Sequence, residues 1–179
     1  MTQRSQIGRR LAAPLIVEDC GMAIVEEPTL NLRPQLRQIG LVGCVKQKSG
    51  RPQHAKDLYL SPLFAGRRQF VEHSCDDWWI LSALHGLVHP DEVLAPYNLA
   101  LKDLGRHERR EWSRRVLADI DRRLAFTAGD TVEFHAGADY REFGLADGLE
   151  SRGWTVVNPT QGMAIGHQLA FYRQASEPS

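Results

Sequence analysis

The sequence predicts an α/β protein: a mostly parallel sheet of four or slightly more strands, helices on both faces, and a short N-terminal hairpin. Three observations predict it. Four short apolar runs, at 39–45 (IGLVGCV), 77–82 (DWWILS), 131–135 (TVEFH) and 154–157 (WTVV), read as buried strands, the pattern of parallel strands covered on both faces. Helical patterns separate them, the clearest at 106–126, where Trp112, Val116, Ile120 and Leu124 recur at i+4 with Leu117 beside them. Each run then stops in a turn of glycine or polar residues: Gly43-Cys44, Ser82-Ala83, His135-Ala136-Gly137 and Asn158-Pro159.

In chain order, residues 1–10 are polar, and the segments 14–18 and 22–26 flank Asp19-Cys20-Gly21 as a small hairpin with glycine in its turn. Residues 27–37 contain two prolines and read as a linker. Residues 1–37 are therefore an appendage and 38–179 the α/β domain. After the first strand, 46–60 reads as an irregular loop. Ser61-Pro62 is a helix start with proline in the first helical position, and the helix runs through Leu63, Phe64, Arg67, Phe70 and Val71 to about His73. A short helix is expected at 90–95. The arginine-rich helix ends by Gly129-Asp130; a helix over 138–151 is stopped by Gly153, and a last helix spans 167–174.

Composition bounds the function. At 179 residues, with 42% apolar and 25% charged residues, one soluble domain can bury an ample core. Twenty-two basic side chains balance 22 acidic ones, so no global field draws the protein to nucleic acid or membrane. Cys20, Cys44 and Cys75 are odd in number and form no CxxC pair, which points to a reducing cytoplasm rather than a disulfide framework or zinc knuckle. No apolar run is long enough to span a bilayer, and no signal-peptide core follows the basic first residues. GxGxxG, Walker, HExxH and GxSxG motifs are all missing, so dinucleotide, P-loop, zincin and α/β-hydrolase readings lose their usual support; no cofactor and no metal ligand is assigned, and metal dependence stays open. The sequence specifies no oligomeric state.

The chemistry concentrates in 77–101, where a buried strand runs into His85, Gly86, His89, Pro90 and then Pro96-Tyr97. In open α/β sheets ligands sit outside the carboxyl ends of the strands. There the four runs deliver Cys44 with Lys46 and Lys48, Ser82 with His85, His135-Ala136-Gly137 with Asp139 and Tyr140, and Asn158 with Gln161. Each has two readings. Cys44 is a small strand-end filler or a nucleophile beside Lys46. Lys46 and Lys48 are loop lysines or phosphate and amine groups. His85 caps a turn or transfers protons. Asp139, in the first turn of a helix, complements the helix dipole or acts as a general base. Asp57 and Tyr59 divide the same way. Arg110 and Arg114 lie on a solvated helix face or contact phosphates.

Several short blocks carry a family resemblance. WILSALHGLVHPDEVLAPYNLAL is similar to the LSG-x-YG-x-L-x-P…PY-x-L segment of the YaaA peroxide-stress family. GCVK (43–46) resembles that family's SPAK, and EFHAGADYREF (133–143) its strand-end segment with Ala-Ser-Asp-Glu-Tyr. AKDLYLSPLF (55–64) resembles its D-x-Y segment, and small bacterial and phage proteins carry closer AKDLY-SPLF and ILSA-HGLV forms. The resemblance covers roughly residues 40–145. It implies nucleic-acid or nucleobase chemistry, with N-glycosidic cleavage of a base in DNA, RNA or a free nucleoside as the expected reaction, and a non-catalytic nucleic-acid-binding or stress-response module as the alternative. Carried over residue by residue, Lys46 takes the SPAK lysine's place, Tyr97 that of the PY tyrosine, and Asp139 and Tyr140 the acidic-Tyr place. Cys44 stands for the family's proline and His85 for its tyrosine, and the basic C-terminal portion that grips DNA is missing. The expected catalytic set is Asp139, Lys46 and His85. The expected substrate-binding set is Cys44, Lys48, Tyr59, Ser82, Tyr97, Gly137, Tyr140 and Gln161.

Overall fold

The computed structural model describes residues 35–125 and 127–175. The hairpin expected at 14–26, and Cys20 in its turn, lie outside them. The elements in order are β1 (Gln38–Gly43), β2 (Gln53–His54), α1 (Ala55–Leu58), α2 (Pro62–Ser74), β3 (Asp77–Ser82), β4 (Gly86–Val88), β5 (Val93–Leu94), α3 (Arg106–Arg123), β6 (Thr131–His135), α4 (Ala138–Arg141), α5 (Leu145–Glu150), β7 (Thr155–Val157) and α6 (Ile165–Gln174). A single 3₁₀ turn, Leu101–Asp103, precedes α3.

The four apolar runs became four parallel strands. Among the described residues the main sheet has five strands in the order β4-β3-β1-β6-β7. β1 lies between β3 and β6, with Leu41 level with Trp79 on one side and Phe134 on the other. The central positions are sealed: Ile39, Val42, Ile80, Val132 and Phe134 have no exposed surface. That is why these runs lack the polar alternation of a half-buried strand. The connection β1–α2–β3 leaves the middle in one direction and β6–α4–α5–β7 in the other. Right-handed crossovers therefore put these helices on opposite faces. Accordingly α2 packs against α6, and α3 packs against α5.

Local chemistry sets the helix starts. Ser61 accepts the Phe64 N–H (3.0 Å) and Pro62 occupies the first turn of α2. Glu108 reaches back to the Gly105 N–H (2.7 Å) at the start of α3. Trp112 is fully buried and its Nε1 donates to the Ser82 carbonyl (2.9 Å), so α3 is tied to the end of β3.

Four expectations are corrected. The segment 90–95 forms no helix. Its carbonyls at Pro90 and Glu92 accept the N–H groups of Lys56 and Ala55 (2.9 and 2.8 Å), and β5 pairs antiparallel with β2. Backbone groups committed across the chain cannot close an i to i+4 ladder. The helix over 138–151 is two helices, because Gly144 adopts a left-handed φ of 101° between α4 and α5. The loop 46–60 is ordered: Ser49 N–H bonds the Leu58 carbonyl and Leu60 N–H the Gln47 carbonyl, each at 2.9 Å. Gly86–Val88, read as a turn, adds an antiparallel strand beside β3.

Candidate functional site

β1 and β6 are adjacent, and their outgoing connections leave on opposite faces. The crevice of a doubly wound sheet opens at such a point. Cys44 lies at its mouth, directly after β1, and its N–H extends the ladder to the Leu81 carbonyl (3.0 Å). The Cys44 thiol is buried, 3.1 Å from the Tyr140 hydroxyl, and that hydroxyl donates to the Cys44 carbonyl (3.3 Å). Glycine at 43 makes this approach sterically feasible. A Cβ there would stand 2.9 Å from Ala136 Cβ and 3.2 Å from Ala136 Cα, too close to a fixed backbone.

The end of β3 supplies the second half. The Ser82 hydroxyl is 2.8 Å from the Tyr97 hydroxyl and accepts the His85 N–H (3.0 Å). Tyr59 and Tyr97 hydroxyls are 3.0 Å apart. Lys48 Nζ lies over the Tyr97 ring, 4.0 Å from its centroid, and donates to the Val45 carbonyl (3.1 Å). The His85 ring meets Tyr97 edge-on at 5.2 Å. Lys46, Lys48, Ser49, Pro96, Tyr97 and Asn98 line an open hollow of about 370 Å³.

The two halves are electrostatically joined. Burial, with Cys44 adding to it, pushes the Tyr59, Tyr97 and Tyr140 phenols far above their ordinary range. They stay neutral hydrogen-bond donors. Burial also holds Lys48 below the ordinary lysine value, with Cys44 opposing the shift. This side chain gives up a proton more readily than a solvated lysine.

Cys44, Lys48, Tyr59, Ser82, Tyr97 and Tyr140 thus converge. Lys46 and His85 are exposed at the rim around Tyr97. Asp139 sits beside Tyr140, at the start of α4, and its Oδ1 accepts from Arg109 Nη1 (2.8 Å). Gly137 is exposed at the N-cap of α4, with open space where a Cβ would point. Gln161 is exposed in the loop after β7, its N–H on the Asn158 carbonyl (3.2 Å). The Gly137 carbonyl accepts the Tyr140 N–H (3.1 Å), whereas Gln161 has no hydrogen bond to the tyrosines among the described residues. Asp57 pairs with Arg68 at 2.7 Å. Arg110 and Arg114 are exposed on α3, Arg114 paired with Glu111 (2.5 Å). Cys44 and Cys75 are free thiols. Among the described residues no cluster of His, Cys, Asp or Glu is arranged to hold a metal, and no helix is long and apolar enough to cross a membrane.

Sequence reasoning missed a buried polar chain between the sheet and the α2–α6 face. His135 has no exposed surface; its Nδ1 is 2.9 Å from the Tyr172 hydroxyl and its Nε2 3.2 Å from Glu133 Oε2. Arg67, 6% exposed, lies within hydrogen-bonding reach of Tyr172 and donates from Nη2 to Gln168 Oε1 (3.0 Å). One signal was visible: Arg67 falls on the apolar stripe of its helix, three and four residues from Phe64 and Val71.

These features define an α/β protein with a polar site at the carboxyl edge of a mostly parallel sheet. The chain belongs to the family described as "Family of unknown function (DUF6884)", which it matches over residues 39–174. A 66-residue stretch is also 30% identical to "Uncharacterized protein YfjM" of Bacillus subtilis (strain 168), covering 34% of this chain and 44% of that protein. The match therefore spans less than half the length of that relative.

Proposed function

We propose that the chain is an enzyme that processes a nucleobase or nucleoside at the carboxyl edge of its sheet, with the N-glycosidic bond as its target. The observation that carries this reading is the cluster of Tyr59, Tyr97, Ser82, Cys44 and Tyr140, with His85 and Lys48 against the Tyr97 ring. The edge of a planar heterocycle is read by such neutral donors and acceptors in an aromatic setting. The YaaA-like motifs fall on the same residues and support the same chemistry.

In the reaction water adds its oxygen to the anomeric carbon. The carbon–nitrogen bond breaks, its electron pair stays with the base nitrogen, and a proton is delivered there. Asp139 is the group for the water side: Arg109 holds Oδ1, and Oδ2 takes the proton that the water sheds as its oxygen bonds to carbon, a proton that returns through solvent to replace the one given to the base. Lys48, eased toward deprotonation by burial, is the proton donor to the leaving base, and Lys46 and His85 bind at the rim. A melting-shift screen with nucleobases and nucleosides, followed by turnover of whichever binds, tests this. Asp139→Asn and Lys48→Met are expected to lower turnover by about 10²-fold or more while the fold persists. Parent-like turnover in both variants would remove these roles.

A further inference from the structure

Arg67 is a buried cation with no acid beside it among the described residues. Only 6% of it is exposed, no carboxylate among the described residues pairs with it, and its Nε has no hydrogen-bond partner. What it does contact is uncharged: Gln168 through Nη2, and the Tyr172 hydroxyl. Burying a guanidinium this way is costly, and a buried charge is ordinarily paired. Burial holds Arg67 below the usual arginine value, the direction expected of an uncompensated charge.

Its position adds the second half. α2 runs antiparallel to β1, so Arg67 stands near the level of Gly43-Cys44, within electrostatic reach of Tyr140. On its other side, Gln168 belongs to the first turns of α6, and its Nε2 donates to the Met163 carbonyl just before that helix (2.9 Å). α6 has ten residues, and Ala164 at its N-cap supplies no side-chain cap. Its first N–H groups therefore face the loop 158–164 without a side-chain acceptor, and a Cβ at Gly166 would meet nothing within 4 Å. A planar guanidinium with an unused donor, beside an uncapped helix N-terminus, is the chemistry of phosphate recognition.

We propose that Arg67 anchors a phosphate subsite between the end of β1 and the N-terminus of α6. The Gln168 side chain swings aside as the anion takes its place on the guanidinium. This rests on the nucleobase reading for the rest of the ligand and makes that ligand a nucleotide: base in the tyrosine cluster, phosphate on Arg67 and α6.

The test is calorimetric titration of the full chain at fixed ionic strength with inorganic phosphate, a nucleoside, and the matching nucleoside 5′-monophosphate. The monophosphate is expected to bind at least about ten-fold more tightly than the nucleoside. Arg67→Met should erase that ratio and leave nucleoside affinity intact. Arg67→Lys should keep part of it, and Arg114→Met should change nothing. Equal affinity of the parent for nucleoside and monophosphate, without phosphate binding, overturns the subsite but spares the nucleobase reading. Binding of phosphate that Arg67→Met abolishes, with no nucleoside affinity, keeps the subsite and sinks the nucleobase reading. An equal loss in Arg114→Met reduces the effect to general surface charge and also overturns the subsite. The parent titrations decide the matter even if Arg67→Met fails to fold.

Discussion

Arg109 and Arg67 show how differently the two faces of the sheet treat charge. On the α3–α5 face each nitrogen of Arg109 has a partner: it donates to Asp139, Leu104 and Lys102 and stacks on the Phe143 ring at 4.8 Å. The same face pairs Arg122 with Asp119 and Arg152 with Asp121. On the α2–α6 face Arg67 is more deeply buried, yet among the described residues it meets only neutral oxygens. The contrast separates charges that brace the fold from one that is held at a cost to stability. Proteins tolerate such a cost mainly where function requires it.

The strongest break in this comparison is on the braced face. Trp112→Ala should destabilise the protein by about 3–5 kcal/mol, because a fully buried ring is lost and the Ser82 carbonyl loses its donor. Urea denaturation measures it. Next, Tyr172→Phe should cost about 1–3 kcal/mol, since the buried His135 loses the partner at Nδ1. A loss near zero would mean that the buried polar chain contributes nothing to the fold. The pair Arg109→Met and Arg67→Met sharpens the contrast itself. The first should lose about 1–2 kcal/mol through orphaned carbonyls and Asp139. The second should stay within about 1 kcal/mol of the parent or gain, as an unpaired buried charge gives way to an apolar side chain. Equal losses would erase the distinction between the two arginines.

The smallest effect is the pH dependence of an exposed pair. Hydrogen bonding to Arg152 holds the Asp121 carboxyl below its ordinary value. A lowered carboxyl contributes stability above its unfolded value and loses it as pH falls through the folded one. Arg152→Gln should therefore lower the melting temperature slightly at neutral pH and match the parent well below about pH 4, so that its acid limb is slightly flatter.

The strands were legible because burial on both faces writes itself as an uninterrupted apolar run, as in Ile39–Val42 and Trp79–Leu81. β4 was not, because Gly86–Val88 has three residues and borrows its conformation from β3. The expected helix at 90–95 failed because its backbone partners sit about 35 residues earlier, at Ala55 and Lys56, where no local pattern reports them. The strand-end polar groups could be gathered from the fold logic alone. The Arg67–Gln168 contact could not: it joins positions 101 apart, and only the packing of α2 on α6 creates it.

The sheet also narrows outward. Six-residue strands lie at β1 and β3, while the outer strands β4 and β7 have three residues each. So short a margin offers another chain little unsatisfied main chain to zip onto. Among the described residues, then, the brevity of the borders gives strand-by-strand polymerisation little to build on.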